Sequence, residues 1–147
     1  MEPPRRLITG LNAEGRSCVL FDGPSPMVIW SNPESPADNS GREDAGGDGF
    51  GFPTEGACFI YSDFAPKSSF DMHATDTIDY VVILSGEVVF VTETGETRLR
   101  AGDVIVDRGV QHGWRNDGDA PCRALIVLAA ARPVGAGATV AGAWDPA

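Results

Sequence analysis

The feature that most restricts this chain is a succession of short β-type runs with no helical periodicity of useful length. Residues 57–62, 70–73, 78–84, 87–93, 97–100, 103–107, 112–116 and 122–128 all carry β-branched or aromatic residues. Ser85-Gly86, Thr94-Gly95, Ala101-Gly102 and Asp117-Gly118 separate most of them, as turn chemistry requires. Strands of this length at this spacing predict an all-β sandwich or barrel. Val81-Val82-Ile83-Leu84 and Val88-Val89-Phe90-Val91 are apolar at both parities. A strand alternates its side chains between two faces, so such runs require burial on both, or one face inside and one at an interface.

The flanks differ in character. Residues 1–31 contain three further strand-like pieces, 6–9, 17–21 and 27–30, which are expected to extend the barrel sheet, even across a dimer. Residues 32–53 are an acidic Gly/Pro-rich loop with almost no apolar residue before Phe50. Loops of this length in compact domains are lids or passive insertions. The barrel proper is expected over 54–131. Residues 132–147, Gly/Ala-rich with Trp144, are expected to form a strap.

A chain of 147 residues suits one domain with a proper core. Its formal net charge of −10 has the wrong sign for displacing counterions from nucleic acid, and it disfavours an anionic membrane surface. Cys18, Cys58 and Cys122 are widely spaced with no CxxC pair, which argues against a thiolate zinc site; Cys18 and Cys58 lie in apolar runs and are expected to be small core residues. No apolar run has the length of a signal peptide core or of a bilayer span, so a soluble cytoplasmic setting is expected.

The chain has two histidines, His73 and His112, each at the end of a strand-like run beside a turn. If the two segments pair in a barrel, they bring two imidazoles and the Asp79 carboxylate to one interior point. That set serves either a mononuclear metal site or a small acid–base pocket. Strand alternation places Tyr80 on the face opposite Asp79, as packing or a dimer contact. Trp114 shares the face of His112 and could stack on an aromatic ligand. Arg108 in the preceding turn could receive a carboxylate at the barrel mouth. Of Phe70 and Met72, which precede His73, one is expected to line the cavity, and Phe90 is a core or cavity residue.

These segments resemble the two motifs of the cupin superfamily, small double-stranded β-helix (jelly-roll) barrels of two antiparallel sheets. The usual first motif is His-x-His, a few residues, Glu, then a hydrophobic strand and Gly. Here it runs His73-Ala74-Thr75, three residues, Asp79, and a strand ending at Gly86. The usual second motif is Gly, several residues, Pro-x-Gly, two residues, His, three residues, Asn. Here it runs Gly102, four residues, Asp107-Arg108-Gly109, two residues, His112, three residues, Asn116. Thr75 stands where a His ligand is usual, Asp79 where Glu is usual, and Asp107 where Pro is usual. The last change is expected to affect packing more than chemistry.

The resemblance implies that His73, Asp79 and His112 hold one divalent ion (Fe, Zn, Ni or Mn), with Thr75 bonding a bound water or the substrate. The metal-free alternative makes His73 or His112 the general base or acid, oriented by Asp79. The implied function is an enzyme of secondary or aromatic metabolism that acts on a small oxygenated carbonyl or polyketide-type substrate. Its chemistry would be lyase-like: decarboxylation, dehydration or isomerisation. A metal-dependent dioxygenase and a non-catalytic ligand-binding protein are the alternatives. A homodimer is expected from the same resemblance. If residues 32–53 are a lid, deleting 35–47 lowers activity while the melting temperature stays nearly unchanged; unchanged turnover identifies a passive insertion.

Overall fold

The computed structural model describes residues 1–135, 139–140 and 142–143, and its regular structure is β throughout. The strands are β1 (Arg5–Leu11), β2 (Ser17–Pro24), β3 (Val28–Asn32), β4 (Gly51–Phe52), β5 (Ala57–Phe64), β6 (Ser68–His73) and β7 (Thr77–Ser85). They continue as β8 (Glu87–Thr92), β9 (Gly95–Arg100), β10 (Val104–Asp107), β11 (His112–Asn116), β12 (Cys122–Ala130) and β13 (Gly142–Ala143). The all-β expectation holds, and each expected run is recovered as a strand to within a few residues. Among the described residues no helix is long and apolar enough to cross a membrane.

Two antiparallel sheets make a jelly-roll barrel: β10-β7-β12-β5-β3 and β6-β11-β8-β9. Alternation decides what lies between them. On β7, Thr77, Asp79, Val81 and Ile83 are buried, while Tyr80 and Leu84 on the other parity are exposed. Ile83, Val88, Cys122 and Ala124 are at most 1% exposed and form the closed part of the core. Cys58 and Cys122 are buried free thiols within it, whereas Cys18 is half-buried on β2.

Of the N-terminal strands, β3 pairs with β5 at the edge of the larger sheet, and β1 and β2 pair with each other as a separate hairpin. The acidic segment is pinned along its C-terminal part. Val28 and Gly47 exchange backbone hydrogen bonds of 2.9 and 3.0 Å, and Ser31 donates to the Ala45 carbonyl at 3.1 Å. Arg6 pairs with Asp44 and donates from Nη1 to the Ile29 carbonyl at 3.0 Å. At Gly46 a Cβ would meet Arg6 Nη1 at 2.2 Å and the Ile29 and Val28 carbonyls at 2.8 Å, so this crossing admits only glycine. The segment then enters β4, which pairs with β13. Val140 of the strap bridges Thr75; Trp144 lies outside the described residues.

The turn before β11 rests on Gly109. Its φ is +75°, and a Cβ would lie 2.4 Å from the Thr75 carbonyl oxygen and 2.9 Å from that of Thr77. Both contacts are with backbone and cannot swing away. Gly109→Ala is therefore expected to destabilise the fold by about 2 kcal/mol or more. Thermal unfolding checks this against Gly95→Ala, where nothing lies within 4 Å and the effect should be much smaller.

Candidate functional site

The site follows from strand register. Antiparallel pairing of β6 with β11 sets His73 opposite His112, and their ring centroids are 4.6 Å apart. Pairing of β10 with β7 sets Asp107 opposite Asp79. Both histidines and Asp79 line a cavity of about 570 Å³ between the sheets. The rest of its wall, apart from Tyr61, Ser62 and Asp63, is apolar and strongly aromatic: Phe50 and Phe52 enter from the segment before β5, Phe64 from β5, Phe70 from β6 and Trp114 from β11. Phe64 stacks on Trp114 with centroids 5.2 Å apart, and Phe52 lies 6.3 Å from the His73 ring.

Each imidazole is fixed at Nδ1. His73 Nδ1 lies 2.8 Å from the Asp71 carbonyl, and His112 Nδ1 lies 2.8 Å from the Val110 carbonyl. A carbonyl only accepts, so Nδ1 carries the proton in both rings and Nε2 carries the lone pair of the neutral form. Phe90 stacks on His112 from behind at 5.3 Å, which holds the ring plane. Asp107 Oδ2 sits 3.0 Å from His112 Nδ1. The Nδ1 proton is directed to Val110, so this carboxylate oxygen acts by charge proximity and has no aligned hydrogen bond of its own. Asp107 Oδ1 accepts from the Gly109 amide at 3.1 Å.

Electrostatics sets the protonation states. Burial pushes the Asp79 carboxyl up to about 6; the Thr77 hydroxyl bond opposes this and the Asp107 charge adds to it. Burial also raises Asp107, against the attraction of His112. Burial lowers His112 below the usual imidazole range, against the pull of Asp107. At neutral pH the cavity therefore presents the neutral His112 imidazole and, elsewhere on the same wall, a carboxyl poised close to protonation.

The expected site residues fall into two groups. His73, His112, Asp79 and Trp114 line the cavity. Thr75 does not: it is 1% exposed and its hydroxyl lies 3.0 Å from Thr77 Oγ1, which donates to Asp79 Oδ1 at 2.7 Å. Phe90 supports His112 from outside the lining, Met72 is exposed on β6, and Arg108 is exposed in its turn. Asp107 is more than the packing substitution expected of it, because it meets His112 directly. Its parity on β10 could have signalled this, since it shares a face with Ile105 toward the barrel interior. Phe50 and Phe52 carried no periodic signal, because the chain reaches the cavity there through a loop.

A divalent ion needs three or more converging donors. Among the described residues no three His, Cys, Asp or Glu side chains are grouped so as to hold one. Thr75 is an alcohol bonded to Thr77, and the Asp79 carboxylate is engaged by the same hydroxyl. The residues present thus do not fit a three-ligand mononuclear site.

A family model described as "Cupin domain" matches residues 60–128. A cupin-domain-containing oxidoreductase of Neurospora crassa is 31% identical over 91% of this chain and 77% of its own length. Phomopsin biosynthesis cluster protein C' of Diaporthe leptostromiformis is 30% identical over 91% of this chain and 82% of its own. Among solved structures, an uncharacterized conserved protein with a double-stranded β-helix domain from Klebsiella pneumoniae aligns at 25% identity. Its TM-score is 0.47, over 60% of this chain and 76% of that one.

The raised Asp79 pKa has a consequence for stability. A carboxyl whose pKa is higher in the folded state favours folding at low pH, and that contribution is lost as pH rises through the folded value. The loss runs from about pH 4 to about pH 6 and amounts to about 3 kcal/mol at full ionisation. Asp79→Asn removes the ionisation. The variant should gain on the parent by roughly that amount between pH 4 and pH 7.5. Urea unfolding at both pH values measures it, and a gap that does not move with pH would show an ordinary carboxyl.

Proposed function

This chain is a member of the cupin family, and on that premise we propose that it is an enzyme catalysing proton transfer on a small, neutral, planar oxygenated substrate. The observation that carries the reading is the pair of imidazoles facing each other, with Asp107 behind one and Asp79 lining the same aromatic cavity. Acid–base chemistry requires groups of different protonation state within reach of one substrate, and burial supplies that difference here.

The aromatic wall suits a flat ring system, which stacks or meets edges at 4.5–7 Å as the side chains already do with one another. No lysine or arginine is among the described lining residues, so the cavity itself supplies no fixed cation for a carboxylate. This favours isomerisation or dehydration over decarboxylation within the lyase-type class. In a dehydration, a histidine Nε2 removes the C–H proton and the electron pair forms the double bond. The hydroxyl departs as water on receiving a proton from the Asp79 carboxyl. In an isomerisation the same two groups take a proton from one atom and return one to another.

A second reading, redox chemistry, is favoured by the name of the Neurospora crassa relative, a cupin-domain-containing oxidoreductase. The Diaporthe leptostromiformis relative is named for a biosynthesis cluster, which supports a substrate from secondary metabolism under either reading.

Incubation in heavy water with a panel of neutral phenols, enolisable ketones and β-hydroxy ketones distinguishes the two readings. Deuterium uptake, or product mass unchanged or reduced by one water, is expected. His112→Ala should lower the rate by roughly a hundredfold or more, and Asp107→Asn by a smaller factor with an altered pH profile. Turnover that requires added iron and oxygen, with a product changed by two hydrogens or by oxygen, would instead establish redox chemistry.

A further inference from the structure

The inner face of the five-stranded sheet is ordered in cross-strand rows. Asp79 on β7 stands opposite Leu128 on β12, and Leu128 opposite Cys58 on β5. The next row, Val81, Ile126 and Ile60, is wholly apolar. The third is Ile83, Ala124 and Ser62. Rows on one face are two residues apart, so about 13 Å of strand separates the row of Asp79 from that of Ser62. Asp79, the whole middle row and Ser62 line the cavity, whereas Ile83 and Ala124 are closed core. The cavity therefore has two polar stations on this sheet with an apolar row between them.

The polar side chains along β5 and β7 differ in what they already hold. Asp79 accepts from Thr77, and Asp63 accepts two bonds of 2.7 Å from Arg123, whose guanidinium lies over the Tyr61 ring. Ser62 is half-buried, and among the described residues nothing bonds its hydroxyl. Its neighbours on the same strand face are Ile60 and Phe64, both buried. An apolar side chain would suit that face, because a hydroxyl taken from water without a partner costs free energy. The strand edge is open here as well. Tyr61 donates to the Met27 carbonyl at 3.2 Å, and the register of β3 with β5 reaches no further than Ile60. Ser62 thus presents an uncommitted donor and acceptor to whatever enters the cavity.

We propose that Ser62 is a specificity residue that hydrogen-bonds a second oxygen of the substrate, and that the substrate is a flat compound of two or more aromatic rings with an oxygen at each end. This rests on the proton-transfer reading of the site, which takes the first oxygen to the histidines and Asp79. A single ring does not bridge the apolar row, whereas two or more do. Phe64, the next residue on this face of β5, is stacked on Trp114 at 5.2 Å and offers a ring wall close to Ser62. A serine hydroxyl is neutral, so it selects a phenol or ketone oxygen, in keeping with a lining that holds no lysine or arginine.

Isothermal titration calorimetry of the full chain compares para,para′-biphenol with para-phenylphenol. The lone hydroxyl of para-phenylphenol goes to the ionised carboxylate end, where hydrogen bonds are stronger, so only the biphenol also reaches Ser62. One neutral hydrogen bond is worth about three- to tenfold in affinity, and the symmetry of the biphenol doubles it. The parent is therefore expected to favour the biphenol by about six- to twentyfold. Ser62→Ala should reduce the ratio to about two, the statistical advantage alone, and Ser62→Thr, which keeps the hydroxyl, should retain the parent's preference. A parent ratio near two, or a parent that binds neither compound, overturns the proposal. So does a Ser62→Ala variant that weakens both compounds alike, since the serine would then serve packing. Deuterium exchange is read separately. A parent that holds the ratio but exchanges no proton with any panel compound overturns the proton-transfer reading and upholds Ser62 as a ligand contact.

Discussion

The pairing of β6 with β11 is the constraint on which the site depends. It sets His73 opposite His112, and a slip of one residue would turn one imidazole to the outside of the barrel. The register is held by shape as much as by hydrogen bonds. Gly113 follows His112 at an irregularity in the pairing, and a Cβ there would meet the Phe70 carbonyl at 2.7 Å. On the other side of β11, Phe90 stands opposite Trp114 and also stacks on His112. Packing thus positions the base, and the backbone carbonyls of Asp71 and Val110 select its tautomer.

The same barrel that positions these groups also desolvates them. Asp79 and Asp107 meet as register partners in the interior, so the Asp107 charge disfavours ionisation of Asp79 and both feel the loss of water. A core built for stability alone would place an apolar pair there, as it does at Val81 opposite Ile105. The stability given up at Asp79 maintains a carboxyl that can both hold and release a proton near neutral pH, a trade seen where function competes with packing.

The barrel was legible because its signals are local. Alternation on β7 and glycine at the turns follow from pleat geometry and φ, and both survive in the fold. The histidines were legible as a pair because only two exist and each stands at the end of a strand, His73 closing β6 and His112 opening β11. Asp107 was readable only in part: its place in a turn motif concealed that register aims it at a ring five residues later. The aromatic roof was not readable at all. Phe50 and Phe52 reach the cavity through backbone bonds between residues 45–47 and β3 and through Arg6, contacts that join positions far apart in the chain. Nor does composition reveal that Thr75 spends its hydroxyl on Thr77.

The clasp made by Arg6, Asp44 and Gly46 separates the acidic segment into two parts with different obligations. After it, the chain must deliver Phe50 and Phe52 to the cavity. Before it, residues 33–43 are exposed and close a span whose two ends are already fixed, at β3 and at Asp44. Closure entropy grows only slowly with loop length, by about 0.6 kcal/mol for each doubling. Related chains can therefore lengthen or shorten this stretch without disturbing the aromatic roof. In the laboratory it is the natural place to splice a fluorescent or affinity tag that reports on the barrel from outside.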